Sequence, residues 1–330
     1  FLFGPINILQ GMYAKHFGLA LTSIATVLLI ARLFDAVSDP IIGYCSDRYY
    51  AHRGHRKPFI VVGGLLLVPL SYCLYVPLGI EAGANEGVNL FYFTSLYIGF
   101  YWAYTLFQVP YYAWANEFTS DGPQKVQVFT AMNIMTNLGT LIFFSIPFLS
   151  FFLTTDVTPE VLKVTTALGI LLFAVGLMVA LKHVPDGPTL NVAREVNLSF
   201  RQQLSELFSN LAKNKPFLLY LAILSTVGLG GGLWMGLFFT FVDSYLQHGE
   251  AYAKISVLGI LIGLVAVPFW YKVVMRIGKR ITWLIYSVGF FFFFLSLGFL
   301  EAGVSEDFII LLYVFYLSVA AASGATAGPI

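Results

Sequence analysis

Long apolar runs separated by short polar connections set the plan of this chain. The runs predict membrane helices at about 1–14, 19–47, 58–80, 89–118, 126–153, 161–182, 216–246, 252–275, 281–301 and 308–330. A helix needs about 20 residues to cross a bilayer, so the first run is expected to be cut short. The last stops near Gly328 and Pro329 and is expected to be cut as well. The chain thus reads as a fragment of a longer protein, with no signal peptide in view. Runs longer than about 25 residues must tilt or extend past the hydrocarbon. The pattern predicts an all-α polytopic membrane protein of about ten full or partial spans.

One connection is long. Residues 183–215 open with the helix breakers HVPDGP and continue as SFRQQLSELFSNLAKNKP. Ser199 with Gln202 three residues on forms a capping-box pattern. Phe200, Leu204, Leu207, Phe208 and Leu211 then fall on one helical stripe. The expectation is an amphipathic helix lying under the membrane domain. It divides the chain into an N-terminal bundle (1–182), a linker (183–215) and a C-terminal bundle (216–330). A weak repeat agrees with two bundles: GYCSDRYYAHRGHRKP and FWYKVVMRIGKRIT each link the second and third helices of their half. Repeated halves with a site between them are a recurring transporter plan.

Charge adds orientation. Loops after alternate spans hold fourteen of the eighteen Lys and Arg residues, while the opposite loops hold eight of the seventeen acids and only three basic residues. The positive-inside rule then places the basic loops in the cytoplasm and the protein in the plasma (inner) membrane. Only 11% of residues are charged and the net charge is +1, against about 25% charged in soluble domains. No basic block offers a nucleic-acid surface. Cys45 and Cys73 are the only cysteines, too few for a disulfide framework or a cysteine metal site.

The chemistry concentrates in RLFDAVSDPIIGYCSDR, Arg32 to Arg48, where Arg32, Asp35 and Asp39 lie inside an apolar run. A charge at mid-membrane costs about 2.5–3.5 kcal/mol on insertion scales, so each needs a partner, a water-filled cavity or an ion. Asp35 and Asp39 are four apart and share a helix face. One reading is a structural ion pair between Arg32 and Asp35, which leaves Asp39 without a partner. The other is a site for Na⁺, Li⁺ or a proton: oxygen ligands suit hard cations, and adjacent carboxylates raise each other's proton affinity. Pro40 removes an N–H, giving either a simple kink or a break whose carbonyls become ligands.

In span four, Tyr101, Thr105, Gln108 and Tyr112 share a face that alternates aromatic rings with a hydroxyl and an amide, and it is expected to line the solute cavity. Asn133 and Asn137, with Thr136, suit either that cavity or hydrogen bonds between helices. Trp234 follows the glycine run 228–232, which reads as a packing seam, with a stacking platform for solute as the second reading. In the turn after span two, Asp47, Arg48, Arg53 and Arg56 form either an electrostatic anchor or a gating network, with Arg32 a further gating candidate. His52 and His55 read as solvated loop residues. An intramembrane Mg²⁺-dependent prenyltransferase also uses paired acids, but it needs a second acidic motif that no later span supplies.

The loop GYCSDR…RGHRKP resembles that between helices two and three of the major facilitator superfamily. More narrowly, RLFDAVSDPIIGYCSDR and YTLFQVPYYAW resemble the glycoside–pentoside–hexuronide:cation symporters, the melibiose-permease group. The resemblance runs along essentially the whole chain and implies the major facilitator fold, two six-helix bundles, of which this chain lacks part of helix one and everything from helix ten onward. It implies a cation site at Asp35, Asp39 and Thr105, with Ser38 where melibiose permease has Asn. The family's sugar-binding acid in helix four falls on Gln108, its stacking Trp on Tyr112, and its helix-five Arg on Asn133. The cation site is thus carried over nearly whole and the sugar site is altered. The expectation is a monomeric secondary transporter, not an enzyme, with no cofactor. It couples a monovalent cation, Na⁺ first, to a sugar or glycoside-like solute by alternating access. A lysolipid solute, as some animal relatives carry, is the alternative.

Overall fold

A computed structural model describes residues 6, 8–78, 88–117, 122–149, 157–185, 209, 213–301, 304–305 and 307–316. Its regular elements are helices: α1 (Leu9–Phe17), α2 (Leu21–Arg53), α3 (Lys57–Tyr75), α4 (Leu90–Glu117), α5 (Gly122–Ser145), α6 (Pro159–His183), α7 (Lys215–Thr240) and α8 (Gly249–Leu297). A short helix, α9 (Asp307–Tyr316), follows. Six stretches among the described residues are long and apolar enough to cross a membrane: α2, α3, α6, Lys215–Tyr245, and the two arms of α8, Gly249–Gly278 and Arg280–Leu297. Gly278, at φ +80°, separates those arms in the basic turn between spans eight and nine. The amphipathic helix expected at 199–211 lies almost entirely outside the described residues.

Two compact units gather along the chain. One comprises Leu2–Thr130 and Leu162–Leu237; the other Phe1, Ala131–Val161 and Phe238–Ile330. In the second unit, Phe238, Phe239 and Phe144 surround the buried Tyr252. Phe290 and Phe293 pack on Tyr316. A π-helical turn, Phe241–Tyr245, follows α7, and Tyr245 donates to the Leu300 carbonyl at 3.2 Å.

The first unit holds the site, and its frame is α2, α3 and α4. Helices α3 and α4 run antiparallel, with Gly63 against Leu106 and Phe107, and Leu70 against Gly99. The contact at Gly63 is so close that an added Cβ would stand 2.5 Å from the Phe107 backbone nitrogen. Beside it Gly64 receives Leu177 and Phe173 of α6. Tyr13 fastens α1 to α3 by donating to the Leu74 carbonyl at 2.7 Å, and its ring packs on Phe93 of α4. Tyr13, Tyr75, Phe93 and Phe100 are fully buried and form the centre of this core.

Helix α2 decides between the two readings of Pro40 and corrects one expectation. It does not break at Pro40 but runs through it, as α4 runs through Pro110. Proline's φ near −65° suits a helix, but each site loses one N–H and its ring crowds the carbonyl four residues back. The Ala36 and Leu106 carbonyls therefore receive no donor four residues on. Second, α2 extends to Arg53, so His52 is helical and its Nδ1 meets the Arg48 carbonyl at 2.7 Å. Basic residues in the last turn suit the negative helix end. Gly54, at φ +76°, caps it by donating to the Tyr50 carbonyl.

Arg56 joins the three helices at this end. Its guanidinium donates to both oxygens of Glu117 on α4, at 2.7–3.1 Å, and to Ser46 Oγ on α2 at 2.8 Å. It also pairs with Asp47 at 2.6 Å and lies over the Tyr50 ring. Burial alone would lower its pKa, but hydrogen bonds and charge from Glu117 and Asp47 outweigh that and hold it above its ordinary value. The Arg56 side chain is 6% exposed and Glu117 15%, but Asp47 is 58% exposed.

Two predictions follow from this frame. Gly63→Ala should lower thermal stability in detergent by about 1–3 kcal/mol, the usual cost of overpacking. Gly176→Ala, whose Cβ meets nothing within 4 Å, should be neutral or slightly stabilising, since alanine favours helix. Equal effects would remove the close approach from the account. At the turn, Glu117→Gln leaves a buried guanidinium short of its main partner and should cost about 3–5 kcal/mol. Asp47→Asn removes an exposed partner and should cost at most about 1 kcal/mol. Chemical denaturation of both variants checks the order.

Candidate functional site

The buried stripe of α2 passes through Ile24, Val27, Ala31, Ser38, Ile42, Ser46 and Tyr50. Asp35 falls on that stripe between Ala31 and Ser38, at spacings of four and three, so its carboxylate is carried toward the helices α2 packs on. Its side chain is only 13% exposed. Oδ2 lies 3.6 Å from Arg32 Nη1, while Oδ1 is buried with no hydrogen-bond partner. The expected Arg32–Asp35 pair is therefore present, yet it satisfies one oxygen of two. Asp39, one turn further, is exposed.

Arg32 is held from the far side by α4. Its Nη2 donates to the Tyr101 hydroxyl at 3.1 Å, and its guanidinium sits 4.7 Å above that ring. Tyr101 is buried and in turn receives a long hydrogen bond from Tyr97, 3.4 Å. It stands behind Arg32 and orients it. The solute-lining role expected for Tyr101 rests on an open face that this ring does not present.

Contacts fix the register of α2 on α4, two helices that run parallel. Arg32 meets Tyr101, Gly43 meets Val109, and Arg56 meets Glu117. Thr105 lies midway between Tyr101 and Val109, which places it at the height of Ser38. Both are buried, Thr105 at 5% and Ser38 at 7% exposed. Ser38 Oγ donates back to the Asp35 carbonyl at 3.5 Å. Asp35, Ser38 and Thr105 thus stand at neighbouring levels of the α2–α4 interface, with Asp39 one turn further along α2 and exposed. All are oxygen donors, the set a hard monovalent cation takes. Among the described residues no group of three or more His, Cys, Asp or Glu forms a tighter metal centre.

The other candidates separate. Gln108 is half-buried on α4, and Tyr112 is exposed, stacked on Phe129 of α5 at 6.5 Å. The Asn133 side chain lies outside the described residues. Asn137 is half-buried on the α5 segment that belongs to the other unit. Trp234 is buried on α7, but the glycine run before it makes no seam among the described residues. A Cβ added at Gly228, Gly230, Gly231 or Gly232 meets nothing within 4 Å, because the run sits on an exposed stretch of that helix.

Of the five gating candidates, Asp47 and Arg56 are joined directly, Arg48 reaches Tyr44 at 3.2 Å, Arg53 is exposed, and Arg32 belongs to the acid site. Sequence reasoning missed Glu117, Arg56's principal partner. Its signal was an acid at the end of span four, on the side where basic residues outnumber acids.

Comparison with known proteins places this arrangement. The family model described as "MFS/sugar transport protein" matches residues 4–327. An uncharacterised symporter of Bacillus subtilis, YnaJ, is 26% identical over 81% of this chain and 57% of its own length. The raffinose carrier protein of Pediococcus pentosaceus is 22% identical over 74% of this chain and 38% of its own. The glucuronide carrier protein homolog of Escherichia coli is 25% identical over 86% and 60%. The chain thus spans about half the length of these curated relatives. Among solved structures, the inward-open xylose transporter XylE of Escherichia coli superposes with a TM-score of 0.59 at 15% identity, covering 97% of this chain and 77% of that one. That likeness establishes the fold: all-α, polytopic and of the major facilitator type. With nearly its whole length matched by the family model, the chain belongs to the MFS/sugar transport protein family.

Proposed function

We propose that this protein is a cation-coupled symporter of a sugar or glycoside-like solute, working by alternating access between two helical bundles, 1–182 and 216–330, joined by the 183–215 linker. The observation that carries the reading is the buried Asp35 oxygen without a donor, one helical turn from Asp39, on the stripe of Ser38, with Thr105 at that height on α4 by the helix register. A cation there offsets the desolvation of Asp35 and completes an oxygen shell that Arg32 only half fills. Na⁺, Li⁺ and H⁺ all meet that requirement, and Na⁺ is the first candidate. Family membership sets the prenyltransferase alternative aside.

The solute side of the proposal is Gln108 and Tyr112, one and two turns beyond Thr105 on the same helix. A cation that draws α2 and α4 together at Thr105 also orders these two side chains, so each ligand raises the affinity for the other by the same factor. Relatives named as raffinose and glucuronide carriers support a carbohydrate solute. Asn133, Asn137 and Trp234 complete the proposed solute set. The charge distribution of the loops supports a cytoplasmic position for the Arg56 network, where Asp47 and Arg48 lie beside it as a gate. A two-bundle transporter of this kind works as a monomer.

The test is uptake against Na⁺, Li⁺ and pH, with the solutes of the named relatives, in wild type, Asp35→Asn and Asp39→Asn. Each variant should lose the cation stimulation, by about tenfold or more, equivalent to about 1.4 kcal/mol of cation binding. Unchanged cation dependence in both would remove the assignment. Gln108→Ala should instead weaken solute uptake at every cation concentration, leaving cation selectivity as it was.

A further inference from the structure

Arg32 is divided between two partners on two helices. Its Nη1 lies 3.6 Å from Asp35 Oδ2, while Nη2 donates to the Tyr101 hydroxyl of α4 at 3.1 Å. The first distance is well beyond the about 2.7–2.9 Å of a charge-assisted hydrogen bond. The second is an ordinary hydrogen bond. The Arg32 side chain is 63% exposed, so packing does not lock it into this division.

A second arginine–carboxylate pair on the same bundle takes the other course. Arg56 meets Glu117 through Nε and Nη2 at 2.7–3.1 Å and closes on both carboxylate oxygens. Its guanidinium lies 4.7 Å over the Tyr50 ring, as that of Arg32 lies 4.7 Å over the Tyr101 ring. A ring face therefore does not by itself hold a guanidinium off a carboxylate. At Arg32 the phenol oxygen does so: Tyr101 takes Nη2, the nitrogen that would complete a two-point contact with Asp35. That oxygen is a fixed point. The Tyr101 ring is buried, packs 4.9 Å from the buried Tyr97 ring, and accepts a hydrogen bond from the Tyr97 hydroxyl.

We propose that Arg32 is a built-in competitor for the cation at Asp35, and that Tyr101 is a positioning residue that sets how strongly it competes. The inference rests on the cation site of Proposed function and adds what tunes its affinity. In the empty site Arg32 supplies part of the charge that the carboxylate needs, and an arriving Na⁺ displaces it. With Nη2 held by Tyr101 that displacement is small, and one oxygen stays open. Released from Tyr101, Arg32 closes on both oxygens, as Arg56 closes on Glu117, and Na⁺ binds less well. The two partners of one contact thus act in opposite directions. Losing the guanidinium tightens cation binding; losing the Tyr101 hydroxyl weakens it. A contact that served packing alone would move both variants the same way.

The experiment measures Na⁺ affinity of the purified protein by isothermal calorimetry, at a pH where carboxylates are ionised, beside the rise in unfolding temperature that Na⁺ produces. Arg32→Gln should bind Na⁺ about tenfold more tightly than wild type, since a competing charge is gone. Tyr101→Phe keeps the ring and loses the hydroxyl, and should bind about fivefold more weakly, the worth of one hydrogen bond. The double variant should match Arg32→Gln alone, because Tyr101 then has nothing to hold. Arg32→Lys keeps the charge without the fork that spans two partners. Its ammonium goes to Asp35 and should weaken Na⁺ binding as Tyr101→Phe does, so it carries the comparison if Tyr101→Phe does not fold. Na⁺ binding no tighter in Arg32→Gln would overturn the competitor. Wild-type affinity in both Tyr101→Phe and Arg32→Lys would overturn the positioning role. Failure of the cation site itself looks different: wild type and Asp35→Asn then bind Na⁺ alike, or neither binds it, and the inference falls with the site.

Discussion

A carboxylate placed in hydrocarbon must be neutralised, and the way this is done governs what its helix can become. Asp35 lies on the buried stripe of α2, where a leucine would have closed the interface with α4 by simple packing. Instead one oxygen takes a long ion pair from Arg32 and the other takes nothing. Leaving a buried acceptor without a donor is expensive, more so for a charged group. On the reading proposed above, that oxygen is one ligand of a coupling cation.

The rest of the first unit holds this position still. Helix α4 must stand at a fixed height against α2 for Thr105 to face Ser38, and three contacts set that height along the interface. At one end Tyr101 clamps Arg32; at the other the buried Arg56 binds Glu117 and Ser46 together. Between them α3 presses on α4 through Gly63, where no side chain fits. The Arg56 cluster therefore acts on the acid site through the register of two helices.

Much of this was legible in the sequence because the membrane makes errors costly. Apolar runs of membrane length follow from hydrocarbon thickness, so most of the described helices were readable to within a few residues, with α2 running six residues past its expected end and residues 317–330 of the last run lying outside the described residues. Arg32, Asp35 and Asp39 stood out for the same reason: each is a charge inside an apolar span. The continuity of α2 at Pro40 was not legible, since the bonds lost at a proline are visible in the sequence and the helical dihedrals that tolerate it are not. Tyr101 read as a cavity residue because helical spacing gives its face but not which neighbour covers that face. Glu117 was missed because its partner lies sixty-one residues away. The glycine run before Trp234 carried a packing signal that the described part of α7 does not use.

The central claim is that the open oxygen of Asp35 is one ligand of a coupling cation, and direct binding tests it with no knowledge of the solute. Na⁺ titrated into the purified protein by isothermal calorimetry, at a pH where carboxylates are ionised, should give saturable binding of one ion per chain, displaced by Li⁺. The binding should be absent in Asp35→Asn, while Arg32→Gln, with the competing guanidinium removed, still binds. Saturable Na⁺ binding of the same strength in Asp35→Asn would contradict the account.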